Sequence, residues 1–361
     1  MRPGHAGDGA RVIPVACAGD VSKSCLKSSL CRPAGPKVVT KRGRVCRSPL
    51  ETVLLAAYIT HTDCARHEMG PHHPECPERL AAIHDHLLIK GLLDYMLPYD
   101  APLATEEQLG RAHSSLYVSE ILAASPAEGY HPVDPDTSMN PFTATAALRA
   151  AGAAVQATDL VLGGEVSAAF CSVRPPGHHA EYRTAMGFCF FNNVAVGVRH
   201  ALDVHGLERV ALIDFDVHHG NGSEDILRDD ERVLMCSIYE KGLYPFPDGD
   251  DKRPGMVNVG LPSRSGSEAF RDAVTQRWLP ALEAFRPQLI YISAGFDAHR
   301  DDDMGNLALL ESDYEWVTQQ LMAVARRHCQ GRVISCLEGG YVLSPLARSV
   351  GAHVKVLIGA D

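Results

Sequence analysis

Asp216-Val217-His218 sets two ligand-type side chains two positions apart. On an extended strand end that spacing turns both to one side. Asp297, at the end of another apolar run, offers a third donor. Three N/O donors without cysteine leave a position open for water and substrate, as in a catalytic rather than a structural metal site. Two carboxylates and a neutral imidazole cancel the charge of a divalent ion. Such an ion is a weaker Lewis acid than one held by three histidines, so a developing oxyanion needs a further donor. Tyr341, directly after Gly339-Gly340, carries a phenol suited to that task. His178 and His179 follow Pro175-Pro176-Gly177, a rigid turn that fixes their aim. An imidazole with a pKa near about 6.5 can take a proton from water and return it to a leaving amine. Asp214 and Asn221 are available to orient the two rings from behind. Each residue alone has an ordinary reading: a capping acid, a packed histidine, a turn tyrosine. Together, acids buried at several strand ends require a charge partner.

The elements that position these residues are legible as apolar runs alternating with helical patterns. Strands are predicted over 53–60, 167–173, 209–217, 232–239, 288–297 and 332–340. Helices are predicted over 77–88, 142–162, 192–204, 268–285, 312–328 and 346–358. Strands apolar on both faces, separated by helices, indicate an α/β fold with a mostly parallel sheet covered on both sides. Ligands bind such sheets at the carboxyl ends of the strands. The RPPGHH turn, the Asp214–His219 stretch, Asp297 and the Gly339-Gly340-Tyr341 turn follow four different runs.

Composition narrows the class. A 45% hydrophobic and 22% charged chain of 361 residues is ordinary for a globular enzyme. No stretch of about 18 apolar residues predicts a membrane span. Residues 1–50 hold ten Lys/Arg against two acids, or +8, while the chain as a whole is -10, so the remainder carries -18. An acidic body argues against a broad nucleic-acid surface and suits a cationic partner. The basic segment is rich in Gly, Pro and Ser, and residues 1–51 are expected to be a disordered extension to one catalytic domain over 52–361. An organelle transit peptide is the alternative for this segment. Lys41-Arg42-Gly43-Arg44 can be read as a nuclear signal, but four residues make a weak one. The eleven cysteines form no CxxC pair, which predicts free thiols in a reducing, cytoplasmic setting.

Seven stretches carry a resemblance: HPECPERL (73–80), DTSMNPFTATAALRAAGA (136–153), RPPGHHA (174–180), GFCFFNNVA (187–195), DFDVHHGNG (214–222), SAGFDAH (293–299) and LEGGY (337–341). Together they resemble the histone deacetylase family, including its bacterial amidohydrolases and acetylpolyamine amidohydrolases. The resemblance implies the arginase-like α/β fold and zinc-dependent hydrolysis of N-acetyl amides, with ferrous iron as an alternative metal. By position, Asp216, His218 and Asp297 match the zinc ligands. His178 and His179 match the catalytic histidines, with His179 as general base, and Tyr341 matches the residue that polarises the acetyl carbonyl. Gly187, Phe188, Gly339 and Gly340 match the substrate tunnel, Asp136 the rim acid and Arg79 the arginine of the acetate channel. Backbone carbonyls of Asp214, Asp216 and His218, with Ser237, match a structural potassium site. Glu338 and Asn221 resemble the class II and bacterial branch. Tyr239 stands where many members have His. The stretch 242–256 departs from the usual Phe-Pro-Gly pattern, leaving Tyr244 and Phe246 as candidates for the second tunnel wall.

The substrate implied is acetyl-lysine in proteins, with an acetylated polyamine or other small amide as the alternative. Nucleic acid and membrane are not expected as partners; a homo-oligomer is compatible. An arginase-like ureohydrolase would need two metals about 3.5 Å apart. The HHGNG stretch lacks an Asp for a second one. A silent binder of acetylated ligands is the remaining alternative, and the full set of reactive side chains argues against it.

Overall fold

The computed structural model describes residues 56–247 and 253–360, so the reading of residues 1–51 lies outside the described residues. In chain order the elements are β1 (Ala56–Thr60), α1 (Glu78–Ile89), β2 (Met96–Asp100), α2 (Glu106–Leu109), α3 (Ser115–Ala124), β3 (His131–Asp134), β4 (Thr137–Met139), α4 (Thr143–Leu162), β5 (Ala168–Cys171) and α5 (Asn193–Asp203). They continue with β6 (Val210–Asp214), α6 (Asn221–Leu227), β7 (Val233–Glu240), β8 (Met256–Leu261), α7 (Ser267–Ala273), α8 (Leu279–Phe285), β9 (Leu289–Ala294), α9 (Glu311–His328), β10 (Val333–Leu337) and α10 (Leu343–Leu357).

Eight strands form one sheet in the order β2-β1-β5-β10-β9-β6-β7-β8, and every pairing in it is parallel. Strands β5, β10, β9 and β6 are buried along their whole length, which demands cover on both faces. Helices α4 and α5 pack on each other and on the sheet, while α1, α10 and α9 pack side by side as another group. This is a single α/β domain of the expected class. The outer strands β2 and β8 were not anticipated because neither is a continuous apolar run. β2 carries Pro98, tolerable only where a missing N–H faces no partner, and β8 alternates buried with half-buried residues.

The helix expected over 268–285 forms, with α7 and α8 joined by a π-turn, Val274–Trp278. That wider turn falls just before Pro280, which has no N–H to donate. The functional strands end earlier than their apolar runs suggest. β6 stops at Asp214, so strand alternation does not align Asp216 with His218. A bend does so instead: the His218 N–H donates to Asp216 Oδ1 at 2.9 Å, closing a side-chain turn that brings the two residues together. The site therefore sits on loops just beyond the carboxyl ends of four adjacent central strands.

Candidate active site

Asp216, His218 and Asp297 each place one donor atom within 4.8 Å of the others, and all three are buried. His218 Nδ1 lies 3.0 Å from Asp216 Oδ1 and 3.2 Å from Asp297 Oδ2. Backbone groups hold the carboxylates from behind. The Gly339 N–H donates to Asp216 Oδ2 at 2.9 Å, and the Val217 N–H donates to Asp297 Oδ1 at 2.9 Å. Asp297 Oδ2 is buried and accepts no hydrogen bond. Burial, and then the charge of Asp216, push the Asp297 carboxyl up to about 7. Gly339 leaves room beside these oxygens: a Cβ there would stand 2.0 Å from Asp297 Oδ2 and 2.5 Å from Asp216 Oδ2. An orphaned carboxylate oxygen in a pair of buried acids, with an imidazole nitrogen between them, fits a divalent cation.

The two adjacent histidines are shifted in opposite directions. His178 Nδ1 lies 3.0 Å from Asp214 Oδ2. Burial would lower its pKa, but the Asp216 and Asp214 carboxylates raise it well above the ordinary value. His179 Nδ1 lies 2.8 Å from Asn221 Oδ1. The amide orientation is fixed because Asn221 Nδ2 donates to Glu181 Oε1 at 2.8 Å. The amide oxygen can only accept, so Nδ1 of His179 carries the proton and Nε2 keeps its lone pair. Burial, His178 and His218 push its pKa well below the ordinary value. A neutral imidazole with a free Nε2 is what a general base requires.

A cavity of about 140 Å³ joins these groups to the surface; it is lined by Asp136, His179, Gly187, Phe188, His218, Tyr244, Met304 and Tyr341. Gly187 and Phe188 both take left-handed backbone angles, φ 55° and 68°. At Gly187 a side chain is excluded: a Cβ would lie 2.5 Å from the His179 ring and 3.0 Å from Tyr244. At Phe188 the strain is held by Thr137, whose Oγ1 accepts the Phe188 N–H at 2.9 Å and donates to Asp136 Oδ1 at 2.8 Å. One threonine in the β3–β4 hairpin thus sets both an aromatic wall and a rim carboxylate. Tyr244 supplies the second aromatic wall, with its ring 5.1 Å from that of His179, while Phe246 is exposed.

The profile of the histone deacetylase domain matches residues 73–357. The chain belongs to the histone deacetylase family. It is similar to a "Probable deacetylase" of Archaeoglobus fulgidus, with 36% identity over 299 residues, covering 80% of this chain and 82% of that one. It is also similar to the "Histone deacetylase-like amidohydrolase" of Pseudomonas aeruginosa, with 37% identity over 302 residues, covering 77% and 79%. Among solved structures, the crystal structure of the HDA15 HD domain superposes with a TM-score of 0.80 at 34% identity, covering 85% of this chain and 89% of that one.

In this deacetylase-family chain the remaining sequence-predicted residues, Tyr341 apart, fall behind the cavity. Tyr341 faces it, with its ring 5.8 Å from that of Phe188. Burial and the nearby Asp297 push the phenol well above its ordinary pKa, so it remains a donor. Gly339 and Gly340 are buried and do not line the cavity; Gly339 touches the acid pair and Gly340 packs on Leu346 and Phe296. Arg79 is also fully buried, 4.9 Å over the Tyr341 ring. It donates to the carbonyls of Gly340, at 2.6 Å, and Glu338. Glu75 pairs with both Arg79 and Arg174; burial alone would raise its pKa, but the two guanidiniums hold it down to about 2. Glu338 accepts the N–H groups of Gly177 at 2.7 Å and His178 at 3.1 Å, tying the histidine turn to the end of β10. Ser237 is the register neighbour of Asp214, and its Oγ lies 3.1 Å from His219 Nδ1.

Sequence reasoning missed Thr137, Met304, Glu75 and Arg174. Buried arginine in RPPGHH and glutamate in HPECPER was a readable signal, since each charge in an apolar setting needs the other. Met304, in an acidic loop, offered none.

A second group, Asp159 with His200 and His205, has the composition of a metal site. Its hydrogen bonds say otherwise. Arg111 Nη1 lies 3.1 Å from His200 Nδ1, and a guanidinium can only donate. His200 therefore carries its proton on Nε2, which donates to Asp159 Oδ1 at 2.9 Å and has no lone pair for a metal. The group is a hydrogen-bonded staple between α4 and α5.

Proposed function

We propose that this protein is a zinc-dependent deacetylase that hydrolyses N-acetyl amides, with acetyl-lysine in proteins as its substrate. The observation that carries this reading is the convergence on one cavity of the His179 base, the Tyr341 phenol and His218, the member of the Asp216–His218–Asp297 donor set that lines it. Zinc held by those three residues would polarise the acetyl carbonyl and acidify the attacking water; ferrous iron suits the same donors.

The chain's own residues supply the rest. Nε2 of His179 takes the proton of the attacking water as the new C–O bond forms. The Tyr341 hydroxyl donates to the carbonyl oxygen as it gains negative charge. His179 then returns the proton to the amine nitrogen as the C–N bond breaks, giving acetate and a free amine. His178, fixed by Asp214, lowers the proton affinity of the neighbouring His179 and so favours its unprotonated form. Phe188, Tyr244 and Met304 make an apolar sleeve suited to the methylenes of a lysine side chain. Among the described residues Asp136 is the only carboxylate of the cavity lining, placed to accept from a substrate's backbone amide at the rim.

Three further assignments belong to this reading. Residues 52–361 act as the catalytic domain, so removing 1–51 leaves turnover and Tm unchanged. Carbonyls of Asp214, Asp216 and His218, with Ser237, hold a structural potassium ion. The enzyme works in the cytoplasm; all seven described cysteines are free thiols, which supports a reducing compartment. Among the described residues no helix is long and apolar enough to cross a membrane.

The test is acetate release from acetyl-lysine peptides, acetylpolyamines and acetylated small amines, with and without a chelator. Chelator-sensitive release, fastest from the peptides, is expected. Release fastest from acetylpolyamines would overturn the substrate, and release indifferent to chelation would overturn the metal.

A further inference from the structure

The oxyanion donor stands on a turn, and a turn is only as well aimed as its backbone is held. From the carbonyl side, Arg79 grips Gly340 and Glu338. The N–H side is gripped by Asp302, a residue in the loop between Asp297 and α9 that the mechanism above does not use. Its Oδ2 accepts the N–H of Tyr341 itself at 2.7 Å and that of Val342 at 3.1 Å. Its Oδ1 accepts the N–H of Met304 at 3.1 Å, and its own N–H donates to the carbonyl of His299 at 2.9 Å. Asp302 is 6% exposed. Tyr341 and Met304 both line the substrate cavity.

We propose that Asp302 is a positioning residue for the acyl-transfer step: it clasps the Tyr341 turn to the loop that carries Met304 and descends from Asp297. The chemistry of the clasp supports this. One buried carboxylate takes three backbone N–H groups from two separate loops, and charge-assisted bonds of this kind are the short, stiff ones. Two of the three lie at the start of α10, where the helix also favours negative charge. Tyr341 and Val342 precede the first helical residue, so their N–H groups have no partner within the helix. Loss of the carboxylate would leave them and the Met304 N–H without that acceptor. The turn would then keep only its carbonyl-side anchor, and the phenol would lose its fixed aim while Phe188 and Tyr244, the two aromatic walls that grip the lysine methylenes, keep supports that do not involve Asp302. The signature is a fall in kcat with KM little changed.

This inference rests on the role given to Tyr341, and the experiment separates the two. Turnover of an acetyl-lysine peptide is measured for Asp302→Ala, Asp302→Asn and Tyr341→Phe, and for the doubles that pair each Asp302 change with Tyr341→Phe, alongside their melting temperatures. Asp302→Ala is expected to lower kcat roughly tenfold or more with KM within about twofold, the scale of losing a positioning contact behind a reactive group. Asp302→Asn, whose amide oxygen can still accept, should recover most of that loss. On the Tyr341→Phe background Asp302→Ala should cost less than about twofold, because there is no hydroxyl left to aim. If Asp302→Ala does not fold, the same cycle is run with Asp302→Ser, a shorter acceptor. An equal kcat loss on both backgrounds, a loss confined to KM, or an asparagine variant as poor as alanine overturns the clasp. Full turnover by Tyr341→Phe alone overturns the role of Tyr341, and the clasp with it.

Discussion

Asp159, His200 and His205 carry the same kinds of donor as Asp216, His218 and Asp297, yet the two groups end in opposite states. In the first, Asp159 is 56% exposed at its side chain and each imidazole already has a hydrogen-bond partner in it. In the second, both acids are fully buried and Asp297 Oδ2 has no hydrogen-bond partner. The difference is what surrounds the donors. At the edge of α4 and α5, a guanidinium from Arg111 settles the tautomer of His200, and Asp159 takes up a nitrogen of each imidazole. At the strand ends, backbone N–H groups hold both oxygens of Asp216 and one oxygen of Asp297, and leave Asp297 Oδ2 to a cation. Spacing and residue type do not distinguish the two groups; the balance of satisfied and unsatisfied polar atoms does.

The comparison breaks first, if it breaks, at Asp297. Asp297→Ala should abolish stoichiometric metal binding and cut turnover on the order of a thousandfold, since a metal supplies several kcal/mol of transition-state stabilisation. Metal analysis and acetate release read both effects, and retention of either would sink the donor assignment. Tyr341→Phe comes next: losing one oxyanion donor costs about 2.7–4 kcal/mol, a drop in kcat of roughly a hundredfold or more. A variant with wild-type kcat would leave the phenol without its role.

The third test extends the contrast between buried and exposed groups to a lone imidazole. His353 lies among Phe170, Phe215 and Phe296, bonded only to the hydroxyls of Thr318 and Ser335, and burial lowers its pKa to about 3. Between its unfolded value of about 6.5 and this folded value only the unfolded chain takes the proton, so this residue's effect is to lower stability as pH falls. The slope is about 1.4 kcal/mol per pH unit. His353→Gln should remove that slope from denaturation curves taken at pH 6, 5 and 4, and an unchanged pH dependence would contradict it. The smallest effect belongs to the surface staple. Asp159→Ala should leave metal content and turnover unaltered and cost about 1 kcal/mol of stability, the scale of one lost hydrogen bond to His200. Loss of metal or activity there would restore it as a candidate site.

The central strands were legible because a strand buried on both faces must be apolar throughout. VALID and LIYISA read as strands for that reason, whereas MLPYD and MVNVGL at the sheet edges do not. The site residues were legible where chemistry restricts residue type: Asp216, His218, Asp297, the histidine pair and Tyr341. The means of bringing them together was not. The bend that seats His218 beside Asp216, the Thr137 bond that holds Phe188, and the clasp at Asp302 all depend on backbone N–H groups. A backbone donor leaves no mark in sequence. Tyr244 could be chosen over Phe246 only once the loop was placed, because both are aromatic and only two positions apart.

The order of the sheet has a consequence for how the enzyme comes into being. β10 is the last strand in the chain, yet it lies in the middle, between β5 and β9. The strands on its two sides, β2-β1-β5 and β9-β6-β7-β8, share no ladder except through it. During synthesis the halves carrying His179 and Asp216 emerge long before the strand that joins them, and Tyr341 follows directly behind that strand. Closure awaits pairings far apart in sequence, which makes folding slow and late. A nascent or C-terminally shortened chain can therefore present histidines and acids without a working site, and activity begins only when the final strand slots between its neighbours.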